Sequence, residues 1–147
     1  DPARALREMA RVSRRWVACL AEPDYEASIW HPAELEGLRT LIVQGVREAG
    51  GDPAMGRRLR PLLSAQGMIA EVGVHPGIWS LELERREQDK EMGWARSLLP
   101  RGAGRRREDL MSSWAEALEE GTLLRFHPVF YALAEVPQTE ERASRHR

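Results

Sequence analysis

The sequence predicts an α/β protein, a narrow sheet of three strands flanked by helices, and three observations carry that reading. Trp16 to Ala21 is an uncharged run that stops abruptly at Glu22-Pro23-Asp24-Tyr25. Such a run is expected to be a strand buried on both faces, ended by a proline that cannot donate to a ladder. Met68 to His75 alternates, with Met68, Ala70, Val72 and Val74 on one side and Glu71, Gly73 and His75 on the other, which is the pattern of a strand near a sheet edge. Around these runs, apolar residues recur at helical spacing, twice behind an aspartate-proline entry, at Asp1-Pro2 and Asp52-Pro53.

In order, Asp1-Pro2 caps a helix whose Leu6, Met9, Ala10 and Val12 form a buried stripe up to about Ser13. The strand at 16–22 follows, and residues 26–32, with Trp30 and His31, are expected to be a loop. A second helix starts near Ala33, carries Leu35, Leu38, Leu41, Ile42 and Val46, and stops at Gly50-Gly51. Asp52-Pro53 opens a shorter helix with Met55, Leu59, Leu62 and Leu63 facing inward, ended by Gly67. After the strand at 68–75 and the Pro76-Gly77 turn, residues 81–98 and 105–120 read as two helices broken at Pro100 to Gly104 and stopped by Gly121. The last strand is expected over 123–135, with Pro128 marking a bulge or a strand start. From Pro137 the tail is polar and charged.

Twenty-two Lys+Arg against twenty-three Asp+Glu leave a formal charge of -1, so neither a nucleic-acid nor a membrane partner is expected. The pairs Arg57-Arg58 and Arg85-Arg86 and the run Arg105-Arg106-Arg107 are dispersed among acids and read as solvated helix faces. Cys19 is the single cysteine; without a disulfide partner it fits a reducing, cytoplasmic setting and reads as a small buried hydrophobe. No apolar run approaches the roughly 18 residues of a membrane span. The opening Asp1-Pro2 is not an initiator methionine, and three strands make a narrow sheet, so a fragment of a longer chain is expected.

Four stretches resemble one family, the class I S-adenosylmethionine-dependent methyltransferases of small molecules. Leu6-Arg-Glu-Met-Ala-Arg-Val12 resembles the helix before their fifth strand, and Trp16 to Tyr25 resembles that strand with its acidic turn. Gly50 to Leu59, then Leu62-Leu63 and Gly67-Met68, is similar to the approach to their sixth strand, and Phe126 to Ala134 to their closing seventh. The family's Pro-Gly-Gly turn before the fifth strand is replaced here by Ser13-Arg14-Arg15. The resemblance implies the C-terminal, substrate-side half of a Rossmann-like domain over 1–136, in a mixed sheet of strands 16–22, 68–75 and 123–135. The sixth and seventh strands then form an antiparallel pair, and their long link, 81–119, is a helical insertion or lid. The glycine-rich loop that holds S-adenosyl-L-methionine would lie in a half absent from these residues, supplied upstream or by a companion chain. Gly50-Gly51 and the spaced Gly102 and Gly104 follow helices and make no credible nucleotide loop.

Methyl transfer from a sulfonium needs an aligned nucleophile and, for oxygen or nitrogen acceptors, removal of a proton. The candidate contacts to a small-molecule acceptor are Glu22, Asp24 and Tyr25 at the strand's end, Trp30 and Trp79 as apolar walls, and His75 and His127 as bases, with His31 a further histidine of that kind. Turn chemistry and packing explain the same residues without function. Trp94 and Trp114 read as core or lid packing, and no short ligand spacing supports a metal site. The alternative is a non-catalytic interaction module that pairs through an exposed sheet edge. A third reading is a different small α/β enzyme using Glu22 and Asp24 as a carboxylate pair.

Overall fold

The computed structural model describes residues 1–77 and 80–137. In chain order these form α1 (Pro2–Val12), β1 (Trp16–Pro23), β2 (Ile29–His31), α2 (Glu36–Glu48), α3 (Met55–Ser64), β3 (Ile69–Val74), α4 (Leu81–Leu98), α5 (Gly104–Glu120), β4 (Leu124–Phe126) and β5 (Val129–Glu135), with short 3-10 turns between them. Contacts divide the chain into two compact units. Unit 1 takes Asp1–Glu22, Met55–His75 and the described residues from Val129; unit 2 takes Pro23–Ala54 and Pro76–Pro128.

Unit 1 is built on a sheet of order β1-β5-β3. β3 and β5 are antiparallel, with Ile69 opposite Glu135 and Val74 opposite Phe130. The Val136 amide donates to the Arg15 carbonyl at 2.8 Å, so the start of β1 meets the end of β5 and that pair is antiparallel as well. The expected mixed sheet is corrected: β5 runs against both β1 and β3, so each adjacent pair of the sheet is antiparallel. α1 enters through its predicted cap, the Asp1 carboxylate accepting from the Arg4 amide at 3.0 Å. Leu6 from α1 and Leu59 and Leu63 from α3 pack on Val17, Cys19, Ala132 and Ala134. At Gly56 the α3 backbone comes close against β1 and β5, where an added Cβ would overlap the Phe130 ring and lie 2.8 Å from the Glu22 carbonyl.

The expectation that strand 16–22 is buried on both faces is corrected. Val17 and Cys19 are buried, whereas Trp16, Ala18 and Leu20 are exposed, Leu20 at 67%. Helices cover one face of the sheet, and the other, with Ile69 at 80% and Leu133 at 42%, is open. The expected strand 123–135 is also corrected. It is two strands separated at His127-Pro128, and only β5 belongs to the three-stranded sheet. Pro128, which has no amide to donate, lies at the break.

Unit 2 is mainly helical. Leu35, Leu38, Ile42, Ala95, Met111, Trp114 and Leu118 form its core. Gly45 lets α2 approach the end of α4 so closely that a Cβ there would overlap the Leu98 carbonyl. α5 stops at Gly121, whose φ of 76° suits a residue without a Cβ, and its amide bonds the carbonyls of the last turn. The stretch expected as a loop, 26–32, holds β2, which pairs antiparallel with β4: Ile29 faces Phe126, Trp30 faces Arg125 and His31 faces Leu124. Three-residue strands are too short to show a period, which is why neither was legible. Among the described residues no helix is long and apolar enough to cross a membrane.

Candidate functional site

The β2/β4 ladder builds the richest side-chain cluster of unit 2. Continued by one rung beyond Ile29 and Phe126, it sets Ser28 opposite His127, and the Ser28 hydroxyl lies 2.7 Å from His127 Nδ1. The chain beside this rung is held by backbone bonds. The Asp24 amide donates to the Pro128 carbonyl at 2.9 Å, and the Tyr25 amide to the Pro53 carbonyl at 2.8 Å. Asp24 itself is buried, 1% exposed, and its carboxylate accepts from the Ala27 amide at 3.1 Å, so it caps the turn at 25–27.

Three aromatic rings surround the imidazole. Trp30 and Trp94 stand edge-on at 5.2 Å between centroids, and Tyr25 at 6.0 Å. Tyr25 and Trp94 also touch each other at 5.9 Å. His127 Nε2 is buried and has no hydrogen-bond partner among the described residues, as is Nε1 of Trp30. Burial, reinforced by the neighbouring Arg125 guanidinium, lowers the His127 pKa to about 3, so the ring is neutral at pH 7. Burial also pushes the Tyr25 phenol up, and it too stays uncharged.

Behind the cluster, Arg125 extends from β4 between two carboxylates of α4, Glu84 at 3.0 Å and Glu91 at 2.8 Å. Its side chain is only 10% exposed, and its guanidinium stands 5.3 Å from the Trp114 ring. Trp114 in turn meets Trp30 edge-on at 5.3 Å. The ion pairs thus fasten α4, which carries Trp94, to the strand that leads into His127.

Of the predicted site residues, Asp24, Tyr25, Trp30 and His127 come together. Trp79 lies outside the described residues. His31 ends β2 on the exposed side. His75 and Glu22 belong to unit 1. There His75 Nε2 lies 2.6 Å from the Leu20 carbonyl and its ring 5.1 Å from that of Tyr131, so it ties strand ends. Glu22 lines an apolar hollow beneath α1. Ser28, Trp94 and the Arg125–Glu84–Glu91 network were missed as site residues. Ser28 and His127 are 99 residues apart and meet through strands too short to announce themselves. Arg125, in an arginine-rich chain, had no local mark at all.

The arrangement is a neutral, aromatic-walled environment with a serine–histidine hydrogen bond. A base with so low a pKa removes protons poorly near pH 7. Among the described residues no group of histidine, cysteine, aspartate and glutamate could hold a metal ion. Gly50 and Gly51 follow α2, and Gly104 opens α5. Compared with known proteins, the chain matches no family model and no curated protein.

Proposed function

We propose that the chain is the substrate-side part of a class I methyltransferase domain, which presents a small aromatic acceptor while S-adenosyl-L-methionine is held by a half outside these 147 residues. The observation that carries this reading is the sheet of unit 1. Its β3 and β5 form the antiparallel pair that the resemblance expects of sixth and seventh strands. β1, read as the fifth strand, stands at the edge with β5 as its one described neighbour, leaving the side where a fourth strand would stand. In unit 2, the rings of Tyr25, Trp30 and Trp94 supply walls for a planar acceptor, and His127 supplies the hydrogen bond that aims its nucleophile.

Calorimetry with S-adenosyl-L-methionine tests it on two chains, this one and one extended by the segment encoded upstream of Asp1. The shorter chain is expected to release no binding heat and the longer to bind at micromolar concentration. An extended chain that does not bind sinks the reading.

The second reading, a non-catalytic module that associates through its sheet, is favoured by the open face of unit 1. Trp16, Leu20, Tyr131, Leu133 and Ile69 are all large, apolar or aromatic, and exposed there. Sedimentation at rising concentration separates the two: a specific dimer supports this reading, and a monomer throughout weighs against it.

A further inference from the structure

Unit 1 contains a hollow of about 440 Å³ that the methyl-transfer reading does not use. It lies among α1, β1 and α3, wholly within that unit, and falls in the size range of small-molecule sites, roughly 300–1,000 Å³. Its walls are almost entirely apolar, with Leu6 and Met9 from α1, Cys19 from β1, and Met55 and Leu59 from α3. Leu6, Cys19 and Leu59 are buried at its floor, while Met9, at 36%, stands at its mouth. One lining residue carries charge, the half-buried Glu22. Among the described residues no cationic side chain is paired with it.

A carboxylate in an otherwise apolar lining attracts an incoming cation and repels an incoming anion. The two thioethers add polarisable surface that adapts to flat or flexible apolar groups. We propose that this hollow binds an amphiphilic organic amine, its hydrocarbon or aryl part between α1 and α3 and its ammonium group against Glu22. The selectivity comes from charge complementarity at a single point; the hydrocarbon supplies most of the affinity. This site stands independently of methyl transfer, since none of its residues belongs to unit 2.

Cys19 gives the test a local reporter, being the only thiol in the chain and part of the lining. Burial and the Glu22 carboxylate push its pKa up, so alkylation is slow and is followed at alkaline pH. Three probes of one shape are compared by calorimetry: 4-phenylbutylamine, 4-phenylbutanol and 4-phenylbutyrate. The amine is expected to bind at least tenfold more tightly than the alcohol, the acid to show no binding, and the bound amine to slow Cys19 alkylation at least fivefold. Glu22→Gln is expected to abolish the preference for the amine while leaving the alcohol's affinity unchanged. Equal affinity for amine and alcohol, or binding that does not protect Cys19, overturns the proposal. Should Glu22→Gln not fold, the three probes on the native chain, with the alkylation rates, decide alone.

Discussion

The two units close their interiors in different ways. Unit 1 has one layer of helices on one face of a sheet, so half of its strand residues meet an apolar floor and the other half meet water. Ile69 at 80% exposure and Ala134 at 0%, from paired strands, show the contrast. Unit 2 wraps three helices around a two-stranded ladder and buries aromatic rings, a neutral histidine and an arginine with two glutamates. The sheet unit leaves one apolar face exposed; the helical unit holds its polar groups within. The difference teaches where specificity resides: a polar group in a closed interior must be answered by particular partners, whereas an open face only has to stay soluble.

The largest expected effect lies at the close approaches that each unit needs. Gly45→Ala should destabilise unit 2 by about 3 kcal/mol or more, since the new methyl meets the rigid Leu98 carbonyl. Gly56→Ala should cost about 1–3 kcal/mol, because part of its clash is with the Phe130 ring, which can turn. Urea unfolding curves of the two variants check the order, and a reversal would mean that unit 1 is the more tightly determined of the two.

Next is Arg125→Met, which strands Glu84 and Glu91 beside each other with 19% and 26% exposure. A loss of about 3 kcal/mol is expected, and Glu84→Gln in the same background should restore part of it, because the uncompensated carboxylates cause the loss. If the double variant is no more stable than Arg125→Met, the arginine contributes through its packing on Trp114 instead.

A last effect concerns acidity and is small only near neutral pH. His127 has a folded pKa of about 3, well below the ordinary histidine value of 6.5. The unfolded chain therefore takes up a proton that the folded chain refuses. The stability this neutral ring confers is present in full above about pH 6.5 and is lost as pH falls toward 3, by about 1.4 kcal/mol per unit. His127→Phe keeps a ring in the box and removes the titration. Over pH 6 to 4 its stability should fall less steeply than that of the native chain by that slope. Parallel curves would show that the imidazole is already solvated.

Much of this was legible in the sequence because it is local. The Asp1-Pro2 entry, the stop at Gly121, the alternation of 68–75 and the helices at 81–98 and 105–120 each follow from residues within a turn or two of one another. What failed was non-local. The uncharged run at Trp16 implied two buried faces, yet Leu20 and Trp16 are exposed, because no local pattern states how many layers will cover a strand. The expectation of one strand over 123–135 missed that Leu124 to Phe126 would find Ile29 to His31 as its partner instead of joining the larger sheet.

By itself, then, the sequence determined the elements, their caps and the apolar stripes that make an α/β chain, since hydrogen bonding within a helix and side-chain periodicity are set by near neighbours. It also marked Asp24, Tyr25, Trp30 and His127 as residues apt for a site. Only the tertiary structure decided that these four meet, that Ser28 and Trp94 join them, and that Glu22 and His75 belong to the other unit. Pairing strands a hundred residues apart is a matter of which surfaces bury together, and that free energy is shared by the whole chain.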